Sequence, residues 1–263
     1  MKHILTLIVI IIVLGGVYYF IARNEGDEVS DTDDQAVMVD GDTLPVTVYP
    51  ISHATMVLDW NGYTLYTDPV GGADAFAGRA TPDLILLTDI HGDHLDEETL
   101  GAVVLQETTI VAPQAVVDEL SEPFASRITV LLNDETIEVD GLRITAIPMY
   151  NVPESDDVRH TKGRGNGYVV ERDGYRVYIA GDTGDTPEMR ALTDIDLAFV
   201  PMNLPYTMSV EAAADAVLDF APSVVYPYHY RGQDGLSDIS RFYELVTEGN
   251  PAITVRLADW YSE

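Results

Sequence analysis

Six residues, Asp89-Ile90-His91-Gly92-Asp93-His94, follow directly on the uninterrupted run Leu84-Ile85-Leu86-Leu87-Thr88 and lead into Leu95-Asp96-Glu97-Glu98. A short apolar run without alternation predicts a strand covered on both faces. The acidic residues beyond the loop predict a helix N-terminus, where carboxylates complement the helix dipole. A chain that drives such a strand into imidazoles and carboxylates is committed to a covered sheet with a polar loop at the strand's end. Those side chains can converge on one point, which is what a divalent cation requires. Gly92, between the two histidines, is expected to ease a sharp turn.

The rest of the chain alternates short strands with turns and helices. Val46-Thr47-Val48-Tyr49, Met56-Val57-Leu58-Asp59 and Tyr63-Thr64-Leu65-Tyr66 predict an opening meander, with Asn61-Gly62 as a hairpin turn. Strands are also expected over 109–111, 128–132, 136–139, 142–147, 167–170, 175–179, 197–200 and 224–228. Helices are expected over 97–105, 113–120, 187–192, 210–220 and 239–247, the clearest being 210–220 with Ser209 as its N-cap. This pattern predicts an α+β fold, a four-layer αβ/βα sandwich of two similar halves meeting near Asn151.

Two later strand ends carry further candidate ligands. Val177-Tyr178-Ile179-Ala180 runs into Gly181-Asp182-Thr183, and Val224-Val225-Tyr226-Pro227-Tyr228 runs into His229. Taken singly, polar residues after strands are ordinary loop starters. In combination and in this order they resemble the metallo-β-lactamase superfamily, whose pattern is His-x-His-x-Asp-His, a lone His, Gly-Asp-Thr and a late His. The resemblance covers 45–263. With the His53-Ala54-Thr55 opening and no long inserted domain, the chain looks most like the branch of L-ascorbate-6-phosphate lactonase-like and phospholipase D-like hydrolases.

The resemblance implies a metallo-β-lactamase fold and a site for two divalent metals, Zn2+ by default, roughly 3.5–4 Å apart. It assigns Asp93, His94 and His229 to the second metal, Asp182 as a bridge, and Asp68 as a structural residue behind the site. The first position departs from the family pattern. Asp89 stands where a histidine is expected, beside His91, and the lone-histidine position reads Met149-Tyr150-Asn151. Asn151 and His160 are equal candidates to complete it, and an oxygen-richer site lets Mn2+ or Fe2+ compete with Zn2+. Occupancy by one metal or by two is left open.

The implied chemistry is attack of an activated water on an ester, lactone or phosphodiester. Asp93 is expected to be both ligand and proton acceptor. His53 is expected at the edge of the site, orienting substrate or bracing the loop. Tyr206, in the stiff segment 201–208, either donates to a leaving group or belongs to a packed connector. The Gly- and Ala-rich stretch 70–82 reads as a lid or as an ordinary surface loop. Arg159, Lys162, Arg164 and Arg231 are positive spots that either hold a substrate anion or offset neighbouring acids. The alternatives to a small-molecule hydrolase are a phospholipase D-like enzyme on lipids and a degenerate metal-binding scaffold.

Charge narrows the partners. Forty-four acidic against 14 basic residues give a net charge of −30. Such a field repels nucleic acid and anionic membranes. Adaptation to high salt and a mesophilic acidic protein both fit it. There is no cysteine, which excludes disulfides, thiolate ligands and a cysteine nucleophile.

The first 44 residues read as separate from this domain. Residues 4–22 are 19 consecutive uncharged, mostly apolar positions, about 28 Å as a helix and so close to a bilayer's hydrocarbon thickness. They are expected to form a transmembrane anchor (1–24) rather than a cleaved signal peptide, with the bulk of the chain extracytoplasmic. Residues 25–44, with eight acidic and no basic side chains, read as a disordered tether.

Overall fold

In the computed structural model, which describes residues 44–261 except 123 and 156, strand side chains alternate between two apolar layers. Along β2 (Thr55–Trp60), Met56, Leu58 and Trp60 enter one cluster and Val57 the other. Along β4 (Leu84–Leu86), Leu84 and Leu86 face one side and Ile85 the other, joined by Leu87. A period of two on a sheet apolar on both faces requires a layer on each side. The inner layer is a second sheet. The outer one is built from α1 (Glu97–Val103), through Leu100 and Val103, and α2 (Gln114–Glu119), through Val116.

The first sheet runs β1 (Val46–Ser52), β2, β3 (Tyr63–Thr67), β4, β5 (Thr109–Ala112), β6 (Ile128–Val130). Its first three strands are an antiparallel meander, and β3 to β6 pair in parallel. The second sheet repeats this plan. β7 (Thr136–Val139), β8 (Leu142–Met149), β9 (Gly165–Arg172) and β10 (Tyr175–Ile179) are antiparallel. β11 (Leu197–Pro201), β12 (Val224–Tyr228) and, beyond a two-residue hairpin formed by β13 (Arg231–Gly232) and β14 (Gly235–Leu236), β15 (Thr254–Val255) then follow β10 in parallel. Its outer face is covered by α4 (Val210–Phe220), through Ala213, Val217 and Phe220, and α5 (Ile239–Gly249), through Phe242 and Val246; the single-turn α3 (Pro187–Arg190) adds Met189.

The expected αβ/βα sandwich is therefore present, with one correction. The chain changes sheets between β6 and β7, at residues 131–135, and not near Asn151. β7 and β8 form a hairpin through Asp140 and Gly141, both at positive φ, and β8 is zipped to β9 over seven registered pairs. Asn151 merely follows β8. The expected anchor (4–22) and the acidic segment up to residue 43 lie outside the described residues. Among the described residues no helix is long and apolar enough to cross a membrane.

Residues 70–82 are not a lid. Phe76 stacks on Tyr66 at 4.8 Å, the Tyr66 hydroxyl donates to the Ala80 carbonyl, and Gly72 N donates to Thr99 Oγ1. The segment is thereby fixed to the outer face of the first sheet, against α1.

Candidate metal centre

The ligand loop is anchored from behind by Asp68, at the end of β3. The Asp68 carboxylate accepts from Thr88 N (2.7 Å) and Thr88 Oγ1 (2.5 Å) and lies 2.8 Å from His94 Nδ1. These bonds draw Thr88 out of the β4 ladder, which is why the strand ends at Leu86, before the apolar run does. With its Nδ1 proton directed at Asp68, the fully buried His94 ring turns Nε2 towards the site as an acceptor. Burial pushes the Asp68 carboxyl up, and the His94 and Thr88 contacts offset part of that shift. Backbone N–H groups of His94 and Leu95 both donate to the His91 carbonyl, closing the loop. Gly92 is not needed for that turn: its φ is not positive, and a Cβ there would meet nothing within 4 Å.

Gly181 is needed. It turns the chain at φ +67°, and a Cβ there would lie 2.4 Å from Met149 Sδ. The turn is held by the Tyr228 hydroxyl, which accepts from Gly181 N at 2.7 Å. It delivers the Asp182 carboxylate between two groups of ligands. Asp182 Oδ1 lies 3.4 Å from His94 Nε2 and 3.3 Å from His229 Nε2. Asp93 Oδ2 lies 3.3 Å from the same His229 nitrogen. Asp182 Oδ2 faces the other way, 3.4 Å from His160 Nε2. That nitrogen is 3.2 Å from His91 Nδ1, which is 2.7 Å from Asp89 Oδ2.

Two sets of donor atoms, His94–Asp182–His229 and Asp89–His91–His160, thus each fit within 4.8 Å. Burial alone would raise the Asp182 carboxyl, but His229, His94 and His160 outweigh it and hold the group far below the usual carboxylate range. Asp93 is depressed in the same way, chiefly by His229, whose Nε2 lies 3.3 Å from its carboxylate.

His94 Nε2, His229 Nε2 and Asp182 Oδ1 are buried without a hydrogen-bond partner. Each orphaned group costs about 1–3 kcal/mol, and all three point at one spot. A divalent cation satisfies them together, so the residues fit a metal. The donors are imidazole nitrogen and carboxylate oxygen, a set that suits Zn2+, Mn2+ or Fe2+.

Between the two first-position candidates the geometry is plain. His160, buried, turns its ring into the cluster. The Asn151 carboxamide is occupied elsewhere: Oδ1 accepts from His160 N (2.9 Å) and Nδ2 donates to the Tyr206 carbonyl (2.8 Å). Asn151 braces the residue it was paired with as an alternative. Asp89, fully buried, has both oxygens held by the Arg164 guanidinium, at 3.1 and 3.0 Å. Lys162 is likewise engaged, by Glu188 at 2.7 Å. Of the four expected positive spots, only Arg159 and Arg231 line the cleft.

That cleft, of about 390 Å³, exposes the centre between His53, Asn203, Tyr206 and Gly232. His53 is at its edge, edge-on to the His229 ring at 5.0 Å, and its carbonyl accepts from His229 N. Burial lowers the His53 pKa, helped by His229. Two residues were not singled out in the sequence. Asn203 places its amide 3.0 Å from His229 Nδ1, and the Tyr261 hydroxyl approaches His53 Nδ1 at 3.5 Å. Neither follows a motif; Asn203 was hinted at only by the stiff segment that contains it.

Comparison with known proteins shows the family. A family profile described as "Beta-lactamase superfamily domain" matches residues 47–229. A "UPF0173 metal-dependent hydrolase" of Thermococcus onnurineus is 34% identical over 182 residues, 66% of this chain and 79% of the relative. A crystal structure from Parabacteroides distasonis is 36% identical with a TM-score of 0.71, covering 81% of this chain and 92% of the other. Igni18, a metallo hydrolase from Ignicoccus hospitalis, shares the fold at 24% identity, with a TM-score of 0.69 over 81% of this chain and 95% of its own. The class that fold and site define is that of the metal-dependent hydrolases. Within it, the chain belongs to the metallo-β-lactamase superfamily.

Proposed function

We propose that the protein hydrolyses an ester, lactone or phosphodiester bond of a small substrate at a centre for two divalent cations. One position is formed by Asp93, His94 and His229, the other by Asp89, His91 and His160, with Asp182 shared. The single observation that carries this reading is the convergence of His94 Nε2, His229 Nε2 and Asp182 Oδ1, buried and unpartnered, at the floor of an open cleft. Zn2+ is the first expectation, with Mn2+ or Fe2+ as competitors. When bound, such cations supply a nucleophilic water at neutral pH and polarise the bond under attack.

The chain's own residues do the rest. Asp68 and Asn203 fix the ring orientations of His94 and His229 from behind. Asp93, part exposed at the cleft floor, is the group placed to accept a proton. Tyr206 lines the same cleft with its hydroxyl available to a leaving group, and His53 borders it as an orienting residue. The likeness to the lactonase-like branch rests on the His53-Ala54-Thr55 opening. A tether through residues 4–22, with the domain on the extracytoplasmic side, is supported by the length and apolarity of that run. Adaptation to high salt is supported by the net charge of −30.

Elemental analysis of the full-length protein, with a screen of esters, lactones and phosphodiesters after metal reconstitution, tests this reading. Two cations per chain are expected, falling to one in His160→Ala. Asn151→Ala is expected to weaken that position without abolishing it. A protein that takes up no divalent cation, or whose hydrolysis survives Asp182→Asn, overturns the proposal.

A further inference from the structure

Arg159 and Arg231 are the two cationic side chains that line the cleft, and they reach it from distant segments. Arg159 lies in the loop after β8, with its guanidinium carbon 4.7 Å from the centre of the Tyr206 ring. Arg231 opens β13, directly after His229 and Tyr230, and its guanidinium carbon lies 4.4 Å from the centre of the Tyr261 ring. Both side chains are exposed.

In a chain with 44 acidic residues, carboxylates are plentiful partners for arginine. Arg164, Arg176, Arg190 and Arg241 each pair with one, while Arg127 and Arg172 are held by backbone carbonyls. Among the described residues, Arg159 and Arg231 form no ion pair, and an aromatic face is what holds each of them. Stacking fixes the plane of a guanidinium while leaving its N–H edge free to donate. The segment of Arg231 is also fixed to that of Tyr206. Gly232 packs so closely on the segment carrying Tyr206 that a Cβ there would lie 2.2 Å from the Leu204 carbonyl oxygen.

We infer that Arg159 and Arg231 form a subsite for an anionic oxygen group of the substrate, a carboxylate or a phosphate, beside the bond that is hydrolysed. The inference takes its reaction from the proposed function. It also answers an electrostatic problem: a protein of net charge −30 repels an anionic substrate, and two guanidinium groups without an ion pair place positive charge where the substrate enters. Guanidinium recognises either oxyanion through paired N–H donors.

The test uses the full-length, metal-reconstituted protein and two aryl esters with the same leaving group, one with a neutral acyl chain and one ending in a carboxylate. The ratio of kcat/KM for the anionic over the neutral ester is expected to fall about tenfold in Arg159→Gln and in Arg231→Gln, the order of one charge-assisted hydrogen bond. It is expected to be partly restored by lysine at either position. Arg143→Gln, on β8 outside the cleft, is expected to leave the ratio unchanged. Binding of phenyl phosphate and of benzoate, followed by calorimetry, needs no turnover. Whichever anion binds with an affinity lowered about tenfold by the same variants is the class the subsite takes. A ratio and affinities that do not change in the variants overturn the subsite and leave the hydrolase standing. Arginine-dependent binding without hydrolysis of either ester or of any screened substrate overturns the hydrolase and leaves the subsite standing.

Discussion

Arg164, in the turn just before β9, donates through Nε and Nη2 to the two oxygens of Asp89, 75 residues earlier in the chain. Asp89 is the first residue of the ligand loop and is fully buried. Burial alone would raise its carboxyl, but the His91 hydrogen bond and the charges of His94, Arg164 and His160 outweigh it and keep the pKa below the ordinary value. The departure from histidine at position 89 is therefore matched by a cation that makes a buried carboxylate tolerable there.

Replacing that cation leaves the carboxylate buried and short of a partner. Arg164→Met is expected to cost about 3 kcal/mol, the scale of breaking a buried pair from one side. Urea denaturation of the metal-free protein measures this, and a midpoint equal to wild type refutes it.

On the proposed reading, Asp68 acts on a bound cation through His94, whose Nδ1 lies 2.8 Å from its carboxylate. Asp68→Asn keeps the size of the side chain but weakens the acceptor at His94 Nδ1. Cation affinity is expected to fall 10–100-fold, the usual order for an outer partner of a ligating histidine. Competition with a chromogenic chelator reads this directly, and unchanged affinity denies Asp68 that part.

Removing the metal restores three orphaned atoms to a buried pocket. A chelator is expected to lower stability by about 4 kcal/mol relative to protein held at a thousand times the dissociation constant. His94→Gln is expected to lose most of that difference, because it withdraws a ligand. Thermal unfolding with and without chelator, on both proteins, is the measurement; equal chelator sensitivity contradicts the assignment.

A pH effect is expected from a partly exposed ion pair. Glu188 accepts from Lys162 Nζ and the Tyr150 hydroxyl, both at 2.7 Å. Partial burial would raise its carboxyl, but those two bonds outweigh it and lower its pKa. A depressed carboxylate contributes above its unfolded pKa, about 4.3, and that contribution is lost as pH falls through the folded value. Glu188→Gln is expected to destabilise by about 0.5–1 kcal/mol at pH 7 and by less at pH 3. Paired denaturation curves at the two pH values check the sign; a larger gap at pH 3 reverses it.

Much of the fold was legible because strand signals are local. Leu84–Leu87, Val177–Ile179 and Val224–Tyr228 are short apolar runs, and each lies in a strand or extends one. The order of ligand motifs was legible because each follows such a run. The point where one sheet gives way to the other was not. It depends on which neighbour β7 and β8 pair with, and no residue near 131–135 announces that choice. The role of Gly92 was misread because a glycine between two ligands suggests strain that the backbone here does not contain.

The sequence by itself determined a two-sheet core and the identity of most candidate ligands, since hydrophobic period and donor chemistry belong to single residues and their near neighbours. Only the tertiary structure turned the His160 ring, and not the Asn151 carboxamide, into the cluster, paired Arg164 with Asp89, and left Arg159 and Arg231 without an ion pair in one cleft. Those outcomes turn on where side chains distant in sequence come to rest, and on which buried polar atoms find a partner when the two sheets close on each other.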